Sequence, residues 1–128
     1  MRNSFLKALS LIILFLSLNN TAQSKHLHLE KEYQDKWCTA QGGVTESTLD
    51  DLSRIDCLLP NYAIEFDFAN KVYEGIGQAV YYASKTNLIP GVVLIMEDPD
   101  NEQKYLNKLK AVSSKYGIKY WIMTINDL

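Results

Sequence analysis

The sequence predicts a mixed α/β fold (α+β, a mixed sheet between helices) with elements in the order α-β-β-β-α-β-α-β. Three observations predict it. Two short apolar runs, residues 54–59 and 62–68, meet at Pro60-Asn61 and read as a β-hairpin. Val72, Tyr73, Ile76, Ala79, Val80 and Ala83 then recur at helical spacing. Residues 91–97 (GVVLIME) are continuously apolar, as in a strand covered on both faces.

Each element has its own local reason. Leu29, Tyr33 and Trp37 recur four residues apart, so residues 26–38 read as the first helix, which Gly42-Gly43 breaks. Residues 44–49 alternate loosely as a first strand and turn through 50–53. The hairpin follows, and Asn70 is the expected N-cap of the second helix. Pro90-Gly91 marks a loop before the apolar strand. Pro99 within Asp98–Asp100 starts a third helix, with Tyr105, Leu106, Leu109 and Val112 on one side, and Gly117 ends it. Residues 118–125 (IKYWIMTI) form a last strand.

The chain has 128 residues. Arg2 and Lys7, an apolar run from Ala8 to Leu18 and a stretch ending Ala22-Gln23-Ser24 read as a secretory signal peptide over residues 1–24. The run is shorter than the roughly 20 residues of a membrane span, although an uncleaved anchor is the alternative. A single domain over 25–128, exported to the periplasm or secreted and free of the membrane, is the expectation. Of the 13 Lys and Arg, Arg2 and Lys7 fall in the leader. The 11 that remain face 15 Asp and Glu, a net charge of −4. Non-specific nucleic-acid binding works by neutralising phosphates, so this balance argues against it unless the lysines cluster. Cys38 and Cys57 read either as a disulfide, stabilising by about 3 kcal/mol, or as two small buried side chains.

The hairpin carries the chemistry. A two-residue turn at 60–61 pairs Leu59 with Tyr62, which puts Asp56 opposite Glu65 and Arg54 opposite Asp67. Side chains alternate faces along a strand, so Glu65 and Asp67 share one surface, opposite Ile64, Phe66 and Phe68. Like charges facing each other across a sheet destabilise it. A divalent cation would compensate. A cross-strand Arg54–Asp67 ion pair is the plainer reading of that corner. Glu46 reads as a surface charge, and His26 and His28 as a frayed start with no role. Trp37, Trp121 and the other aromatics read as core.

The order of elements together with these acids resembles the PD-(D/E)XK nuclease-like superfamily. Its restriction-endonuclease-like core has a helix, three antiparallel strands, a helix and a further strand in three layers. Asp56 matches the acid of the second strand and Glu65 the acid of the third. Gln78 with Tyr81-Tyr82 is similar to the helix motif Q-x-x-x-Y. The resemblance implies that Glu30, on the first helix, joins the site, with Glu32 as second candidate. The motif lysine should stand at 67, where this chain has Asp67. Lys71 at the start of the next helix is the candidate substitute, since Lys71, Gln78 and Tyr82 share one helical stripe.

What the resemblance implies is an exported phosphodiesterase or nuclease acting on DNA or RNA with Mg²⁺ or Mn²⁺. Asp56, Glu65, Asp67 and Glu30 would be the oxygen ligands, with Lys71 and Gln78 at the water and phosphate. Two alternatives stand beside it: a catalytically silent binding module on the same fold, and a secreted interaction protein stapled by Cys38–Cys57. The sequence leaves open DNA against RNA, cleavage at ends against cleavage within strands, and a homodimer against a monomer.

Overall fold

The computed structural model describes residues 25–128. The leader expected over 1–24 lies outside the described residues. The chain runs through α1 (Glu30–Ala40), β1 (Val44–Thr48), β2 (Arg54–Leu58) and β3 (Tyr62–Phe68). A 3₁₀ turn (Ala69–Lys71) leads into α2 (Val72–Thr86), β4 (Ile89–Ile95), α3 (Pro99–Tyr116) and β5 (Lys119–Met123), and a second 3₁₀ turn (Ile125–Asp127) follows. The fold is mixed α/β, with one five-stranded sheet in the order β1-β2-β3-β4-β5. β1/β2 and β2/β3 pair antiparallel, β3/β4 and β4/β5 parallel.

Helix ends follow their local chemistry. α1 starts four residues later than the spacing of apolar residues suggests, because the Glu32 carboxylate accepts the Leu29 N–H at 2.6 Å and caps it there. α2 starts after the 3₁₀ turn, with Lys71 rather than Asn70 in the N-cap position. α3 has Pro99 in its first turn, where a missing N–H costs nothing. Gly117, at φ +68°, closes α3 by donating its N–H to the Ser113 carbonyl at 3.0 Å.

The sheet is covered on both faces. On one, α1 packs Tyr33 and Cys38 against Cys57, Ile64, Phe66, Phe68, Val93 and Ile95. On the other, Val72 and Ala79 of α2 and Leu106 and Leu109 of α3 pack on Val92 and Leu94. These form three layers, helix on sheet on helix pair. α2 is rotated from the stripe that its apolar residues suggest: Tyr73 and Val80 are 65% and 46% exposed, while Gly75 and Tyr82 are buried. The reason is that α2 contacts β3 and β4 as well as α3, so its inner side is centred between them.

Cys38 and Cys57 form a disulfide, with Cα atoms 5.8 Å apart, pinning α1 to β2. A Cβ at Gly43 would lie 2.7 Å and 2.8 Å from the two sulfurs, so only glycine lets the α1–β1 turn pass over the bridge.

Candidate functional site

Hairpin pairing begins as the turn dictates: Leu59 and Tyr62 exchange backbone bonds, and Leu58 and Cys57 face Ala63 and Ile64. The ladder then stops. Next in register come Asp56 and Glu65, and here side chains take over from backbone. The Phe66 N–H donates to Asp56 Oδ2 at 2.8 Å, and the Asp56 N–H donates to Glu65 Oε1 at 3.3 Å. The Asp56 carbonyl accepts Gln34 Nε2 from α1 at 2.7 Å. Both backbone polar groups of Asp56 are therefore met by side chains, which lets the strands part without orphaned groups.

The neighbouring strand is irregular at the same level. Bridged pairs flank Glu46 and Asp56 in the β1–β2 ladder, and Glu46 sits at φ 55°. A non-glycine residue in the left-handed region costs on the order of 1 kcal/mol. Glu46 is held there by Gln34 Nε2 at 3.0 Å and by Arg54 Nε at 3.5 Å. Arg54 thus pairs with Glu46 on β1. The cross-strand pair with Asp67 does not form, because β2 has left β3 before it reaches that level.

Glu65 and Asp67 point toward α2, opposite Ile64, Phe66 and Phe68, and each is only 3% exposed. α2 comes close because Gly75 faces Asp67: a Cβ there would stand 3.1 Å from Asp67 Cβ. Burial pushes the Asp67 carboxyl up to about 7, with Glu30 and Glu74 adding repulsion and Lys71 opposing it. Burial likewise pushes Glu30 up to about 7, with Asp56 the next largest cause and Lys71 again opposing. Burial and the Asp56 charge hold Glu65 well above the carboxylate range. Asp56 is raised by burial too, though the Phe66 N–H works against it. Both carboxyls of the pair are thus raised, each by burial before any other cause.

Of the residues singled out from sequence, the structure thus groups Glu30, Asp56, Glu65, Asp67 and Lys71 into one electrostatic neighbourhood. Glu32 is elsewhere, engaged with Leu29 N–H and 3.6 Å from His28 Nδ1. Gln78 lies on the α2 stripe between Gly75 and Tyr82, half-buried, and makes no side-chain hydrogen bond among the described residues. Tyr82 is buried and senses Glu65 and Asp56, while Tyr81 is exposed and donates to Asp51 Oδ2. Among the described residues, no three His, Cys, Asp or Glu side chains stand at metal-ligand spacing as they are arranged.

Four residues around this site carried no sequence signal of their own. Gln34 is one turn from Glu30 on α1, and its role depends on the gap in the ladder. Glu74 reads as an ordinary helix-start acid. Gly75 has no side chain to signal a role, and only the fold shows Asp67 behind it. Glu97 ends an apolar strand, yet its carboxylate accepts His26 Nδ1 at 3.2 Å, the Leu27 and His28 N–H groups at 2.9 and 3.0 Å, and the Tyr33 hydroxyl at 2.9 Å. The segment 26–28 is therefore anchored rather than frayed. Searches against protein-family models, curated proteins and solved structures match nothing to this chain.

Proposed function

We propose that the protein is a nuclease-like phosphodiesterase of the restriction-endonuclease type, dependent on a divalent cation. The observation that carries the reading is the group of four buried or half-buried carboxylates, Glu30, Asp56, Glu65 and Asp67, each raised by burial and by a neighbouring carboxylate, with Lys71 opposing the rise at Glu30 and Asp67 and Arg54 opposing it at Asp56. Strongly perturbed buried acids cluster at functional sites, where burial and like charges are put to use. The element order and the three layers support the same reading, as does the hairpin that sets Asp56 beside Glu65.

The donor set fits a hard cation in kind: all oxygens, as Mg²⁺ and Mn²⁺ prefer, with charge in excess. Asp56, Glu65 and Asp67 would hold it, with Glu30 reaching in from α1. Such a cation, when bound, lowers the pKa of a water and offsets charge that develops on a phosphate. Asp67 stands where the motif has lysine, so it serves as a ligand, and Lys71 takes the cationic part. Lys108 lies over the rings of Tyr73 and Tyr105 at 4.9 and 5.6 Å, and Lys104 lies over Tyr105 at 5.0 Å. This cluster meets the same first turn of α2 and supplies the local positive surface that the net charge lacks.

The test is hydrolysis of labelled DNA and RNA by the exported protein with Mg²⁺ or Mn²⁺. Cleavage is expected from the wild type, and none from the Asp56→Ala/Glu65→Ala double variant. Cleavage that survives the double change removes these residues from the site. A second reading, a silent binding module, is favoured by one observation: Asp56 and Glu65 already engage backbone N–H groups with their carboxylates. Titration calorimetry separates the two, since the module releases no heat with either cation.

A further inference from the structure

The four donors on Glu97 tie the segment before α1, and α1 itself, to the end of β4 by hydrogen bonds that packing alone does not supply. Glu97 follows β4, whose last residue, Ile95, is in register with Phe68 at the end of β3. Two of its donors are the N–H groups of Leu27 and His28, just ahead of α1, and a third is the Tyr33 hydroxyl on α1 itself. The fourth is His26 Nδ1, and the His26 ring stacks on Phe68 with centroids 3.4 Å apart and planes 8° from parallel. Tyr33 meets Phe68 edge to face at 6.2 Å. Phe68 directly follows Asp67. Glu30 lies in the chain between the latched segment and Tyr33.

From this geometry we infer that Glu97 is a positioning residue: its carboxylate latches the segment 26–28 and the start of α1 to the ends of β3 and β4, and so sets Glu30 against Asp67. The inference rests on the cation-site reading above and adds what assembles that site. Without the latch, α1 keeps its disulfide at Cys38 and the packing of Tyr33 on Phe68, but the segment 26–28 loses its anchor and the turn that carries Glu30 is held less closely. One carboxylate serves because its two oxygens are acceptors only and together meet all four donors. A glutamine of the same shape turns half of that surface into a donor.

The experiment compares the wild type with Glu97→Gln, Glu97→Asp, Glu30→Gln and Glu30→Gln/Glu97→Gln, using Mn²⁺ alone as the probe. Amide exchange at Leu27 and His28 is expected to quicken about tenfold or more in Glu97→Gln and less in Glu97→Asp. The rise in melting temperature that Mn²⁺ gives should shrink in Glu97→Gln as much as in Glu30→Gln, and the double variant should lose no more. A purely structural Glu97 would lower the melting temperature without metal and leave the Mn²⁺ rise intact, and that result overturns the inference. So does unchanged exchange at Leu27 and His28. If Glu97→Gln does not fold, His26→Ala, which keeps the carboxylate but removes the stack, is read the same way. If the wild type shows no Mn²⁺ response, the cation reading fails by itself. The latch is then judged on the Glu30 carboxyl carbon resonance: a shift in Glu97→Gln upholds it, and an unmoved resonance sinks it.

Discussion

Glu97 and the trio of Glu30, Glu65 and Asp67 are the same chemical group in opposite company. Burial alone would raise Glu97, but the Leu27 N–H, the Tyr33 hydroxyl, the His28 N–H and His26 outweigh it and hold it below the usual carboxylate range. Glu30, Glu65 and Asp67 are raised, because burial strips their water and what surrounds them is mostly other carboxylates. On the cation reading proposed above, the difference separates an acid that builds the fold from one placed to receive a ligand. A carboxylate ringed by donors has no use for a cation. Carboxylates facing each other, with one lysine nearby, are a standing cost to the fold unless something positive arrives.

The largest effect that separates the two regions comes from truncation. Glu97→Ala leaves four donors without their acceptor and should destabilise the protein by about 3 kcal/mol, measured by urea denaturation near neutral pH. Asp67→Asn should do the reverse at pH 8, where the native Asp67 must carry its charge. A gain of about 1–3 kcal/mol is expected. If both changes destabilise alike, the contrast between the two kinds of acid is broken.

The pH dependence sharpens the same contrast. Glu30 and Asp67 have folded pKa values of about 7, above the 4.5 and 3.8 of free side chains. The folded state therefore holds their protons more tightly. The stability gained in this way is fully present below about pH 4 and is lost as pH rises through about 7. Glu65 extends the loss to higher pH. Glu97, lowered instead, works the other way and loses its contribution as pH falls through its depressed pKa. Stability should thus fall between pH 5 and 8, by an amount on the order of 2–3 kcal/mol after allowance for the half-exposed Glu30. Thermal melts across that range are the measurement. Mn²⁺ should restore most of the loss at pH 8 and little at pH 5. A flat profile from pH 5 to 8, with no Mn²⁺ effect, would show that the acids do not bear the repulsion inferred for them.

Much of this was legible in the sequence, for identifiable reasons. Pro60-Asn61 fixed the turn, the turn fixed the register, and the register put Asp56 beside Glu65. The continuous apolar run of β4 announced a strand buried on both faces, which it is. What could not be read is what depends on the chain leaving its regular pattern. Alternation places Arg54 opposite Asp67 only if the ladder continues, and it ends earlier because side-chain carboxylates intercept the N–H groups of Asp56 and Phe66. The left-handed Glu46 belongs to the same irregularity, and no local signal marks it. Glu97 and His26 are 71 residues apart, and a contact of that range leaves no trace in periodicity.

The smallest expected effect tests how closely α2 must approach the acids. Gly75 is the point of contact, and a methyl group there would press on Asp67 Cβ from 3.1 Å, tighter than an ordinary contact. In an open helix Gly→Ala gains nearly 1 kcal/mol of helix propensity. Here the strain of displacing α2 or Asp67 costs about as much or more, so the net change in stability should be within about 1 kcal/mol of zero. The informative quantity is the Mn²⁺ response. An Asp67 carboxylate pushed off its place should bind more weakly, so Gly75→Ala should lower the Mn²⁺-induced rise in melting temperature while leaving the Glu97 latch, read by exchange at Leu27 and His28, untouched. Gly77, whose Cβ would meet nothing within 4 Å, is the control: Gly77→Ala should gain the propensity and keep the full response. If the two alanines behave alike, the close approach of α2 is packing alone, and the acids are indifferent to it.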